Sequence, residues 1–277
     1  MELHVAPVQG NVHVLFGPGG NVTIQTGKDG ALLVDTMFAP LGPRIAAEVK
    51  KLSPKPIRMI VDTHVHGDHV GGNAALAKLG APGITLVEGG GATVFAHENV
   101  LNRMTQKGSN QEPADYPNRE YDTPTKDFFF NGEAVILFHE PKAHTDGDTI
   151  VFFRRSDVIS TGDIFTPERY PFIDMPRGGS IDGEIAALNH ILHLTVPEKL
   201  QEGGTQVVPG HGRICDEADV VEYRDMVTII RDRVRDAIKR DLNLAQVKSE
   251  KLSLDYDTRY GPGDAFVESV YKSLGGR

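Results

Sequence analysis

The chain opens with short β-branched runs broken by glycine turns and ends in long stretches of helical spacing. Residues 12–16, 22–26 and 31–35 predict strands. The turns Gly17-Pro18-Gly19-Gly20-Asn21 and Gly27-Lys28-Asp29-Gly30 separate them, so they read as an antiparallel meander. Residues 43–52 carry apolar positions at helical spacing (Ile45, Ala46, Val49, Leu52) and stop before Ser53-Pro54. Residues 57–61 form an apolar run that reads as a buried strand. Gly71-Gly72-Asn73 then opens an Ala- and Leu-rich helix that ends at Gly80. Residues 84–87 predict another buried strand, and 92–104 a helix. Residues 105–125 are polar, carry Pro113, Pro117, Pro124, Tyr116 and Tyr121, and show little periodicity, which predicts a lid or mobile segment.

The short-strand pattern resumes at 127–130, 133–139, 149–153 and 157–160. An amphipathic helix follows over 181–194, capped by Ser180 or Asp182. A last short strand, 206–208, ends in Pro209-Gly210-His211-Gly212. From Asp219 the chain is helical, with Arg231, Asp232, Arg235, Asp236 and Lys239 on one face, and it closes with a helix over 265–274. No repeat, low-complexity segment or linker interrupts it. Two β-rich halves, each followed by helices, predict two packed sheets with helices outside. The whole of 1–277 then forms one domain, with C-terminal helices from about residue 216 packed on it.

Composition narrows the function. Hydrophobic residues at 39% and charged residues at 24% of a 277-residue chain describe an ordinary globular protein with a substantial core. The net charge of −9 argues against broad nucleic-acid affinity, while leaving room for an anionic small molecule at a local cationic site. One cysteine, Cys215, excludes an internal disulfide and a multi-thiolate metal site; Asp216-Glu217-Ala218 after it suggests a helix start, so it reads as a packed residue. No run is long and apolar enough to cross a membrane. The N-terminus lacks the basic and apolar regions of a signal peptide, so the sequence as given reads as cytoplasmic; a removed leader would make it periplasmic or secreted.

The chemistry concentrates in Thr63-His64-Val65-His66-Gly67-Asp68-His69, directly after the strand at 57–61. Three imidazoles and a carboxylate on one tight turn at a strand end can converge on a point, as the ligands of Zn²⁺ or a similar first-row ion must. A His-rich solvated loop is the bland alternative. Against it stand three downstream stretches, Ala143-His144-Thr145-Asp146-Gly147-Asp148, Ser160-Thr161-Gly162-Asp163 and Pro209-Gly210-His211-Gly212, each placing His or Asp in a Gly-bearing turn.

In order and character these motifs resemble the metallo-β-lactamase superfamily along most of the chain. The resemblance implies an αββα sandwich of two mixed sheets with two metals at one edge. It implies that His64, His66 and His144 hold the first ion, that Asp68, His69 and His211 hold the second, and that Asp163 bridges them. An Asp at 163 is similar to glyoxalase-II-like thioesterases and lactonase-like members, whereas class B β-lactamases place Cys or Ser there. The substrate-gripping Lys of many such lactamases has no clear counterpart in Asp163-Ile164-Phe165-Thr166-Pro167.

The implied activity is a binuclear zinc hydrolase acting on a small-molecule ester, lactone, thioester or amide. Two ions roughly 3.5–4 Å apart would share a hydroxide, and Asp68 would orient it and shuttle its proton. Class B-like β-lactamase activity and an iron-dependent oxidoreductase of the same fold are the alternatives, with iron or manganese in place of zinc. A Glu is usual at the His66 position in the di-iron branch, which weighs against that branch. Asp62, Thr63 and Asn73 are candidates for holding imidazole tautomers or simply the turn. Tyr116, Tyr121, Arg169, Tyr170 and Arg177 fall in segments expected to rim the site. His190 and His193 lie three apart in the 181–194 helix and fit its packing or its surface better than a metal site.

Overall fold

The computed structural model describes residues 2–83 and 91–276. The first half of the chain builds β1 (His4–Gln9), β2 (Val12–Gly17), β3 (Gly20–Gly27), β4 (Gly30–Val34), helix α1 (Gly42–Leu52) and β5 (Ile57–Val61). Next come α2 (Gly67–Val70), α3 (Asn73–Leu79), β6 (Thr93–His97), α4 (Glu98–Met104) and β7 (Arg119–Tyr121). These strands form one seven-stranded sheet in sequential order. It is antiparallel from β1 to β4 and parallel from β4 to β7. The second half supplies β8 (Thr125–Phe130), β9 (Glu133–Glu140), β10 (Asp148–Phe153), β11 (Val158–Ser160), α5 (Ile181–Leu194) and β12 (Gln206–Val208). Their five-stranded sheet has the order β12-β11-β10-β9-β8, with β11 and β12 parallel. Helices α6 (Glu217–Lys239), α7 (Leu244–Ser249), α8 (Asp257–Tyr260) and α9 (Asp264–Ser273) complete the chain.

Side-chain alternation along each strand sorts the core into three layers. Val14, Leu32, Val34, Met59 and Val61 of the larger sheet meet Val135, Leu137, Val151, Phe153 and Val208 of the smaller one. The opposite face of the larger sheet (Leu15, Ile24, Leu33, Ile60) packs on Ile45 and Val49 of α1 and Leu76 of α3. The outer face of the smaller sheet (Ile150, Phe152, Ile159, Val207) is covered by α5, α6 and α9. The result is the expected αββα sandwich. Ile60 is fully buried, and cutting it to alanine would cost about 2–5 kcal/mol. Ser180 caps α5 by accepting from Gly183 N–H, and Asp216 with Asp219 forms a capping box that starts α6.

Several elements depart from the sequence reading. Strand β1 is an additional edge strand, paired antiparallel with β2. The helix expected over 92–104 is instead strand β6 followed by the two-turn helix α4. The β-branched and aromatic Thr93-Val94-Phe95 fills the slot between β5 and β7, and the His97 side chain caps α4 by accepting from Asn99 N–H. The turn after β5 holds a one-turn helix, α2. The segment expected as a lid over 105–125 contributes β7, and buried Tyr121 shares a hydrogen bond with Thr149 at 2.8 Å. The segment approaches the motif turn where Gln111 donates to Val65 O at 3.1 Å and where Tyr116 packs against the cluster that holds Val65 and Val70. The strand expected at 84–87 lies outside the described residues.

Candidate metal centre

The C-terminal ends of the parallel strands β4 and β5 and of β11 and β12 open on the same edge of the sandwich, the position where such strands commonly present a site. The β5 end delivers His64, His66, Asp68 and His69; the β11 end delivers Asp163; the β12 end delivers His211; the β9–β10 loop delivers His144. Glycine makes two of these approaches possible. Gly162 has φ +53°, and a Cβ there would sit 2.6 Å from Thr63 Oγ1. Gly210 donates its N–H to Gly162 O at 2.8 Å, and a Cβ on it would collide with Asp163 Oδ1. Asn21, from β3, clamps the His211 loop by donating to Pro209 O and Gly212 O at 2.8 and 2.9 Å.

All seven residues named from the sequence come together here, in two clusters. In the first, His66 Nδ1 lies 3.1 Å from His64 Nε2 and 2.9 Å from His144 Nε2. In the second, Asp163 Oδ1 lies 3.3 Å from both His69 Nε2 and His211 Nε2, and Asp68 Oδ2 lies 3.4 Å from His211 Nε2. Asp163 spans them, its Oδ2 being 4.0 Å from His144 Nε2.

The tautomers follow from acceptor-only partners. Thr63 Oγ1 gives its one proton to Asp35 Oδ2 at 2.8 Å, so at 3.0 Å it accepts from His64 Nδ1. His69 Nδ1 donates to the same carboxylate at 2.7 Å. His144 Nδ1 donates to Phe172 O at 2.6 Å, and His66 Nε2 donates to Asp174 Oδ2 at 2.8 Å. Each of these imidazoles therefore turns its other nitrogen to the cluster.

The donor set fits a cation. Buried His69 Nε2 and Asp163 Oδ1 have no hydrogen-bond partner, an arrangement that is costly unless something else binds them. Burial, reinforced by neighbouring imidazoles, pushes His64 well below the usual histidine range; burial likewise takes His144 down to about 4, against the pull of Asp163. Both are thus held as neutral lone-pair donors. Burial opposes ionisation of Asp163, yet the charge of His69 and the close approach of His211 hold it well below the usual carboxylate range. His69 is raised by Asp35 and Asp163 against its own burial: these carboxylates favour a positive charge where the second cluster converges, which a bound cation would supply in place of a second imidazole proton. Nitrogen and carboxylate donors without thiolate suit zinc, iron or manganese.

Sequence reasoning named neither Asp35 nor Asp174, the carboxylates that orient His69 and His66. Asp35 closes the run at 31–35, a weak hint; Asp174 lies in an irregular stretch with no local signal. Of the three turn residues named, Thr63 contacts His64, whereas Asn73 donates to Asp62 Oδ2 at 2.9 Å and to Asp115 O at 3.0 Å, tying α3 to the β5 end. Of the expected rim residues, Tyr121 and Tyr170 are buried, the latter donating to Asp257 at 2.8 Å. Arg177 pairs with Asp174 at 2.8 Å, and it joins Val65, Gly67, Lys107 and Gln111 around a hollow of about 540 Å³. Arg169 lines another hollow, beside His211. Cys215 is packed, as expected, with its thiol pushed up to about 12 by burial.

Comparison with known proteins agrees with this picture. The family model of the metallo-beta-lactamase superfamily matches residues 15–252. A type 2 metallo-beta-lactamase of Bacillus sp. (strain 170) is 22% identical over 211 residues, covering 76% of this chain and 73% of that protein. A linear primary-alkylsulfatase of Pseudomonas sp. (strain ATCC 19151) is 33% identical over 82 residues, 29% of this chain and 15% of that protein. Among solved structures, the sec-alkylsulfatase Pisa1 from Pseudomonas sp. superposes with a TM-score of 0.75 at 18% identity, over 99% of this chain and 50% of that one. The chain thus spans half the length of that sulfatase. A metallo-beta-lactamase from Pontibacter korlensis superposes with a TM-score of 0.63 at 16% identity, over 82% of this chain and 99% of that one. The motifs, the sandwich and the family match converge, and the chain belongs to the metallo-β-lactamase superfamily.

Proposed function

We propose that this chain is a binuclear zinc-dependent hydrolase that cleaves an ester, lactone, thioester or amide bond in a small molecule. His64, His66 and His144 would hold the first ion, Asp68, His69 and His211 the second, and Asp163 would serve both. The observation that carries the reading is the placement of Asp163, with one oxygen 3.3 Å from His69 and His211 and the other 4.0 Å from His144. When bound, the ions supply Lewis acidity toward the scissile oxygen and lower the pKa of water toward about 7.

The chain's own groups supply the rest. Asp35, Asp174 and the Phe172 carbonyl hold four imidazoles in the tautomers that leave lone pairs facing inward. Asp68 has a partly exposed side chain (29%) at the open face of the second cluster. There its carboxylate can take the proton of the attacking water and return it to the leaving oxygen, sulfur or nitrogen. The C-terminal helices would belong to the same unit, a reading supported by α6 and α9, which pack on the sheet whose edge carries Asp163.

Sulfate-ester cleavage is a second reading, favoured by the 82-residue stretch 33% identical to an alkylsulfatase and by Lys107 and Arg177 beside the motif turn. Elemental analysis should find close to two zinc equivalents per chain; iron with oxygen consumption would favour the oxidoreductase alternative instead. A panel of ester, thioester, lactone, amide, β-lactam and alkyl-sulfate substrates identifies the bond. Chelation should abolish turnover and zinc restore it. Full activity in metal-free protein would refute the proposal.

A further inference from the structure

The stretch Pro171-Phe172-Ile173-Asp174 is pinned to the first cluster at several points. Phe172 O accepts from His144 Nδ1 at 2.6 Å, Asp174 N donates to His144 O at 2.9 Å, and Asp174 Oδ2 accepts from His66 at 2.8 Å. Ile173 is buried in the core formed with α5 and α6. The Phe172 side chain is nonetheless 62% exposed. Its ring centroid lies 6.1 Å from that of His66 and 5.8 Å from that of His144. The backbone carbonyl alone accounts for the bond to His144, and any residue would provide it. Nothing in that bond requires an aromatic side chain turned to solvent.

A second exposed aromatic is Phe38 (45%). Its ring packs on Gly19, and the next residue, Gly20, abuts the His211 ring. Asn21 N–H donates to Gly210 O at 2.8 Å and holds that turn against the His211 loop. Phe172 therefore borders the first donor cluster directly, whereas Phe38 reaches the His211 loop only through the Gly19-Gly20 turn. An aromatic whose backbone is pinned beside a reacting centre gives apolar contact area at little entropic cost.

We infer that Phe172 selects substrates that carry an apolar chain of several carbons next to the scissile bond. Phe172 would contact the first carbons of the chain while the bond sits over the donor clusters. This rests on the hydrolase reading above and names the substrate class of that site.

The test compares 4-nitrophenyl acetate, butyrate and octanoate with zinc-loaded wild type, Phe172→Ala and Phe172→Leu, zinc content being measured in each. The wild type should prefer octanoate to acetate in kcat/KM. Phe172→Ala should cut that octanoate-to-acetate ratio by roughly tenfold, the scale of losing a few apolar groups from a pocket, and Phe172→Leu should recover part of it. A purely structural role for Phe172 would lower all three esters alike and leave the ratio unchanged, which would overturn the inference. Calorimetric binding of acetohydroxamate and octanohydroxamate gives a readout without turnover. If no ester is cleaved, the ester reading fails, while a chain-length preference in hydroxamate binding that is lost in Phe172→Ala still supports the role of the ring. Absence of any chain-length preference in both assays overturns it.

Discussion

Asp35→Asn is the sharpest perturbation of the centre, because a single carboxylate fixes the protons on two imidazoles. Asp35 accepts from Thr63 N and Thr63 Oγ1 at 2.8 Å each and from His69 Nδ1 at 2.7 Å, in a buried setting. Its φ of +66° is one that asparagine tolerates, so the substitution introduces little backbone strain. The new amide can still accept from Thr63 N through its oxygen. Its NH₂ then faces His69 Nδ1 and Thr63 Oγ1, where two hydrogen bonds were accepted before. The Thr63 hydroxyl turns to accept from the amide and donates to His64 instead, and His69 Nδ1 must become an acceptor. Both imidazoles then carry their proton on Nε2, the nitrogen that faces the clusters.

Hydrogen bonds to a charged group contribute about 1.5–3 kcal/mol each. With two reorganised and one kept, metal-free protein should lose about 2–4 kcal/mol, or roughly 5–10 °C in Tm for a chain of this size. Loss of an orienting partner costs about 10–100-fold in metal affinity. Because one histidine of each cluster is reversed, both zinc affinities should fall by that factor. Chelator competition measures the affinities, and long-range ¹⁵N–¹H spectra read the tautomers directly. Wild-type zinc affinity at both sites, with His64 and His69 still protonated on Nδ1, would refute the proton chain.

Asp163→Ser should fold and retain one tightly bound zinc through His64, His66 and His144, with weaker binding at the second site and turnover lower by orders of magnitude at low zinc; unchanged affinity and turnover would remove Asp163 from the ligand set. The His97 pair gives a pH signature outside the centre. Burial, aided by the stacked His139 ring, lowers His97 from 6.5 to about 4. A histidine depressed in the folded state contributes stability that is fully present above pH 6.5 and is lost as pH falls toward 4, because the unfolded chain takes up the proton first. Thermal melts of metal-free protein should therefore fall across that window, and His97→Gln should flatten the slope; parallel curves for the two proteins would contradict this assignment.

The sequence by itself carried much of what has a local signal. Alternation and turn chemistry located the meander of β2, β3 and β4, and helical spacing located α1 and α5. His64, His66, Asp68 and His69 were legible because their spacing on one turn is itself the chemical signal. The more distant His144, Asp163 and His211 were singled out only through the resemblance that their Gly-bearing turns carry. Residues 93–97 were misread because Val, Phe and Ala suit either a buried helix or a buried strand; the vacancy between β5 and β7 decided for the strand. Asp174 is 108 residues from His66 in the chain, and Asp35 is 34 from His69, so no periodicity links either carboxylate to its imidazole. Those pairings, and the outward turn of Phe172, arise only when the two sheets pack and bring their strand ends to one edge. A candidate donor can be read from a short motif, but the proton on its far nitrogen is set by whichever acceptor the tertiary fold places behind it.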